Sequence, residues 1–153
     1  MLFRSENSED SNWKLSNEYQ VFELTPFTET IKLESDLLFT RSVSHWWTAF
    51  GLRDVVLSTG CKNYRGEIAT SRAYRKFFDD NELPDVYNGL MYFRYSQGAH
   101  DFFRVAKAMT MEWPMIKTEL QQCFEDEPST DVLYALTALN IGQETVKIGR
   151  AHV

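Results

Sequence analysis

The chain has 153 residues, 16 basic against 22 acidic, with 43% hydrophobic and 14% aromatic content. This is the composition of a globular chain, not a disordered one, and its length suits one domain or most of one. The net charge of −6 argues against non-specific nucleic-acid binding, which rests on Lys and Arg neutralising phosphates, and no apolar run approaches the ~20 residues of a membrane-spanning helix.

The two ends read as additions. Ile148-Gly149-Arg150-Ala151-His152-Val153 and Leu2-Phe3-Arg4-Ser5 match translations of one short-read sequencing adapter in opposite orientations. Residues 1–5 and 148–153 are therefore expected to be adapter-derived tails, and 6–147 a partial domain cut from a longer protein. Setting Arg4 and Arg150 aside from the 16 basic residues leaves 14 against 22 acidic, a charge of about −8. Cys61 and Cys123 lie far apart, without metal-ligand spacing, and read as two free thiols in a reducing, cytoplasmic compartment.

In chain order, residues 6–12 are polar loop. Trp13–Leu24 has apolar positions whose spacing does not separate helix from strand, and Pro26 then breaks the chain. Thr30–Leu33 reads as a strand, followed by Glu34-Ser35-Asp36 and three more apolar residues, Leu37, Leu38 and Phe39. A short helix is expected through His45, Trp46, Trp47 and Phe50, capped by Ser42 or Ser44 and ended at Gly51. Its two tryptophans suit either packing on a sheet or stacking on a ligand.

Asp54–Thr59 is a second strand, whose continuous Val55-Val56-Leu57 run fits a sheet buried on both faces. Residues 60–70 read as loop and Ser71–Asp79 as an amphipathic helix with a basic face of Arg72, Arg75 and Lys76. Tyr87-Asn88-Gly89 precedes a third strand, Leu90–Tyr95; Asn-Gly there serves either a plain turn or a close backbone approach to a ligand. Gln97–Trp113 is the clearest helix, ended or kinked by Pro114, and Met115–Phe124 continues it. An acidic loop leads to a last helix, Thr130–Ile141, with Ser129 or Thr130 as cap and Asp131 in its first turn. Strands alternating with helices point to an α/β fold with a largely parallel sheet.

The stretch with most chemical content is Glu29–Phe39. Isolated charges are costly inside a strand, so Glu34 and Asp36 place the strand's end there. In open α/β sheets that carboxyl edge is where ligands bind, although an ordinary junction with solvated acids accounts for the same residues.

The order of these features resembles nucleotide-sugar glycosyltransferases of the GT-A fold, especially glycogenin-like and uncharacterised phage-type ones. Glu34-Ser35-Asp36 stands in the place of their Asp-x-Asp motif, with Glu for the first Asp. Val86-Tyr87-Asn88-Gly89-Leu90 is similar to their Asn/Gly-bearing strand, and Ser129-Thr130-Asp131 to the opening of a later helix. The resemblance covers roughly residues 26–142. It implies a GT-A-like, mostly parallel sheet flanked by helices, and transfer of a sugar from a nucleotide-diphosphate donor to an unknown acceptor.

It further implies Mn²⁺ or Mg²⁺ on Asp36 and Glu34, Asn88 and Gly89 lining the donor-sugar or acceptor pocket, and Asp131 as the carboxylate that binds sugar hydroxyls or stands near the reacting carbon. The alternatives are a non-catalytic α/β interaction module and a nucleotidyltransferase of related fold.

Overall fold

The computed structural model describes residues 17–35, 37, 39–60, 73–142 and 146–147. Asp36, Cys61 and both expected tails lie outside the described residues. The elements run 3₁₀ turn Glu18–Gln20, α1 Val21–Leu24, β1 Glu29–Leu33, α2 His45–Phe50, β2 Val55–Thr59, α3 Ala73–Asp80, β3 Val86–Arg94, α4 Gln97–Met111, α5 Trp113–Glu119, α6 Thr130–Ile141 and β4 Val146–Lys147. The stretch whose spacing left helix and strand open is helical over Glu18–Leu24.

The strands form one sheet in the order β1-β3-β2-β4. The expected largely parallel sheet is not what these strands form. β3 pairs antiparallel with both β1 and β2, and only the two-residue β4 is parallel to its neighbour. The reason lies in the connections. β1 and β2, joined through α2, do run in the same direction, as an alternating strand-helix-strand pattern implies. β3 then inserts between them in the opposite sense. An apolar run such as Val55-Val56-Leu57 reports burial on both faces, and strand direction leaves no mark on it.

Both faces are indeed covered. On one, Val55, Leu57, Met91 and Phe93 pack against Phe102, Phe103 and Ala106 of α4 and Val132, Leu133 and Tyr134 of α6. On the other, Val56, Leu90 and Tyr92 meet Phe50 and Trp46 of α2 together with Ile31 and Leu33. The α2 tryptophans thus belong to packing: Trp46 lies 5.8 Å from Phe50, and Trp47, although half exposed, meets the Tyr92 ring edge-on at 6.5 Å.

The ends of α4 and α6 follow the cap chemistry, whereas Ser44 precedes α2 without a side-chain cap bond and its hydroxyl instead meets that of Ser42. Ser96 Oγ accepts from Ala99 N, Ser129 Oγ accepts from Val132 N, and Gly142 closes α6 at φ 66°, a left-handed conformation glycine adopts without strain. Pro114 falls in the first turn of α5, where its missing N–H leaves no helical hydrogen bond unmade, so the long helix divides at Glu112. The expected continuation to Phe124 stops at Glu119; Gln122, at φ 54°, is in a left-handed conformation that no helix contains. Among the described residues no helix is long and apolar enough to cross a membrane.

Candidate functional site

Because β3 is antiparallel to its neighbours, its start lies beside the carboxyl ends of β1 and β2. Glu34, Asn88 and Gly89, more than fifty residues apart in sequence, meet at this edge: Glu34 N donates to Gly89 O at 3.0 Å. The first turn of α6 joins them, with Asn88 N donating to Asp131 Oδ1 at 2.7 Å. Of the residues singled out in the sequence, these four come together, while Asp36 lies outside the described residues.

Tyr87, Asn88 and Gly89 belong to β3 itself and do not precede it. The register slips here. Leu57 pairs with Met91 but Ser58 pairs with Tyr87, so residues 88–90 bulge away from β2. Ser58 Oγ secures the bulge, lying 2.5 Å from Tyr87 O and 2.9 Å from Leu90 O as their shared donor. Adjacent strand residues point to opposite faces, and the register shift of this bulge decides that Tyr87 takes one and Asn88 the other.

On the α2 face, Tyr87 OH donates to Glu34 Oε2 at 2.9 Å. The Tyr87 ring also lies across Gly89: a Cβ there would meet Tyr87 Cε1 at 2.2 Å. The close approach that Gly89 permits is therefore made by this chain's own tyrosine. Gly89→Ala is expected to cost about 2 kcal/mol, because the ring must swing out and release Glu34. Denaturant midpoints check this through a double-mutant cycle with Tyr87→Ala, in whose background the alanine at 89 should cost little.

On the α6 face, Asn88 is almost fully buried and Asn88 Nδ2 donates to Glu18 Oε2 at 2.5 Å. Glu18 Oε1 in turn pairs with Lys32 Nζ at 2.5 Å, and Lys32 Nζ donates to Asn88 O at 3.3 Å. Asn88 Oδ1 and the hydroxyl of the fully buried Tyr134 have no hydrogen-bond partner among the described residues.

Glu18, Lys32, Tyr87 and Tyr134 escaped the sequence reading. Tyr87 stood in the Tyr87-Asn88-Gly89 stretch without a role of its own, and Lys32 is a charge inside the apolar run Thr30–Leu33, which burial tolerates when the charge is paired.

Burial holds the Tyr134 phenol well above its ordinary range, and the Glu18 charge adds to this. Burial and a hydrogen bond to Glu29 at 2.6 Å raise the Tyr92 phenol likewise. Unfolded phenols ionise near pH 10 while these stay protonated in the folded chain. Stability is therefore complete below pH 10 and falls as pH rises beyond it, by about 1.4 kcal/mol per pH unit for each phenol. Tyr134→Phe is expected to raise stability by about 1 kcal/mol at neutral pH, since it removes a buried hydroxyl with no partner, and to lessen the alkaline slope. Thermal melts from pH 7 to 11 read both effects; a loss of stability at pH 7 would contradict the first.

The metal expectation has a narrower footing. Magnesium and manganese take about six oxygen ligands, and of this edge's expected metal ligands the described residues supply Glu34 alone, with one of its oxygens accepting from Tyr87. Among the described residues no group of three or more His, Cys, Asp or Glu side chains is placed to hold a metal ion. The described donor set does not by itself fit the ion, and a site on this edge depends on Asp36. No protein-family model, no curated protein and no solved structure matches the chain.

Proposed function

We propose that the chain is part of a glycosyltransferase that takes a sugar from a nucleotide-diphosphate donor at the carboxyl edge of β1 and β2. The observation supporting this reading is the convergence of Glu34, Asn88, Gly89 and Asp131, joined by the 3.0 Å Glu34–Gly89 and 2.7 Å Asn88–Asp131 bonds. Glycosyl transfer builds positive character on the sugar and negative charge on the leaving diphosphate. Asp131 would serve the first and bind sugar hydroxyls. Asp36 with Glu34 would hold Mn²⁺ or Mg²⁺, whose charge stabilises the diphosphate. Asn88 shapes the edge through its backbone, its N–H fixing Asp131.

A second reading is a non-catalytic α/β interaction module. It is favoured by the engagement of both described carboxylates within the chain, Glu34 by Tyr87 and Asp131 by Asn88. One experiment separates the two. Free Mn²⁺ is followed by electron paramagnetic resonance as the protein is added, with and without a panel of uridine, guanosine and adenosine diphosphate sugars. Release of sugar or nucleoside diphosphate is assayed in the same mixtures. Manganese uptake enhanced by one donor, with metal-dependent release, is the expected result; no uptake and no turnover with any donor favours the module.

A further inference from the structure

Away from the sheet edge, a cleft of about 340 Å³ opens between α3, α5 and the segment joining α5 to α6. Its volume falls within the range of about 300–1,000 Å³ typical of small-molecule sites. Phe77, Trp113 and Phe124 line it, together with Cys123, Glu125 and Glu127. We propose that this cleft binds an organic cation with an apolar body, such as a quaternary ammonium group on a hydrophobic stem. This proposal does not rest on the glycosyl-transfer reading.

Three features of the lining carry the inference. First, the aromatic surface has little polar capacity left. The Trp113 indole N–H donates to Glu125 O at 3.2 Å, which spends its only donor, and the ring packs into the core as the cleft's floor, leaving half-buried Phe77 and exposed Phe124 as the rings within reach. Phe124 stands at the rim 86% exposed, a large apolar side chain in water that a bound apolar group would cover. Second, the cleft's charge has one sign. Glu125 and Glu127 are exposed acids, and no ion pair holds either of them among the described residues.

The neighbouring cation, Lys117, pairs instead with Asp126 at 3.1 Å. Third, the thiol adds no opposing chemistry: burial pushes the Cys123 thiol up, so it stands neutral and unreactive at physiological pH. Aromatic faces beside uncompensated carboxylates attract a cation through ring quadrupole and charge together. An anion is repelled by the same acids, and a neutral apolar molecule gains burial alone.

The test uses benzyltrimethylammonium and its uncharged analogue with a tert-butyl group in place of the ammonium. Binding is followed by ligand-observed NMR and by isothermal titration calorimetry. The cation is expected to bind about five-fold more tightly than the neutral analogue, with the preference shrinking as salt rises. Glu125→Gln with Glu127→Gln should abolish the preference and leave neutral binding in place. Phe124→Ala, at a position too exposed to disturb folding, should weaken both ligands. Equal binding of the two ligands, binding of neither, or a preference that survives the double glutamine variant would overturn the proposal.

Discussion

Asp36→Asn is expected to lower sugar transfer by two to three orders of magnitude while leaving the fold intact. In the sequence Asp36 lies two residues beyond Glu34, which stands at the edge where Gly89, Asn88 and Asp131 meet. Asparagine keeps the size and part of the hydrogen bonding but removes the charge that would hold a hard cation. Groups that stabilise transition-state charge are each worth about 3–4 kcal/mol, which sets the size of the loss. Stability should hold or rise slightly, because Glu34 no longer has a second carboxylate two residues away.

Manganese dependence should weaken in parallel. Glu34→Gln should give a milder version of both effects, since Tyr87 already takes one of its oxygens. Steady-state kinetics across a manganese series checks the pattern. Unchanged turnover and unchanged metal response in Asp36→Asn would reduce Asp36 to a solvated acid and remove the metal-assisted mechanism.

Glu18→Ala should be the most destabilising of the substitutions considered, by about 3 kcal/mol. Glu18 joins the N-terminal helical turn to the sheet, pairing with Lys32 and accepting from Asn88. Removing one partner from a buried pair costs about 3–5 kcal/mol, because the remaining charge keeps its desolvation penalty and loses its compensation. The side chains here are 15% and 17% exposed, so the lower end of that range applies. Asn88 Nδ2 also loses its acceptor, which adds to the cost.

The companion double variant, Glu18→Leu with Lys32→Met, should recover much of the loss, since no unpaired charge remains. Urea titrations of the single and double variants check both statements. If the double variant is as unstable as Glu18→Ala, the cost belongs to packing of the turn and not to the stranded ammonium.

The same residues show what the sequence determined alone. The strand cores at Thr30–Leu33 and Val55–Thr59, the α4 and α6 helices, and a cap of α6 at Ser129 or Thr130 were legible, and the structure places that cap on Ser129. Each depends on side-chain periodicity or on a cap whose partners lie within a few residues. The meeting of Glu34 and Asn88 at one edge was legible in outline, because both stood at strand ends.

Strand direction was not. An apolar run such as Val55-Val56-Leu57 records that both faces are covered, and antiparallel and parallel pairing bury it equally well. Likewise, Asn88-Gly89 looks in sequence like a turn or a ligand contact. Only the β3 bulge, which lays Tyr87 over Gly89 and turns Asn88 inward to Glu18, decides between them. Those partners lie one, two and seventy residues away and reach Asn88-Gly89 only through the register of a strand paired on both sides. The alternation of side chains along β3 depends on that register, and a bulge that shifts it reassigns faces in a way no local pattern records.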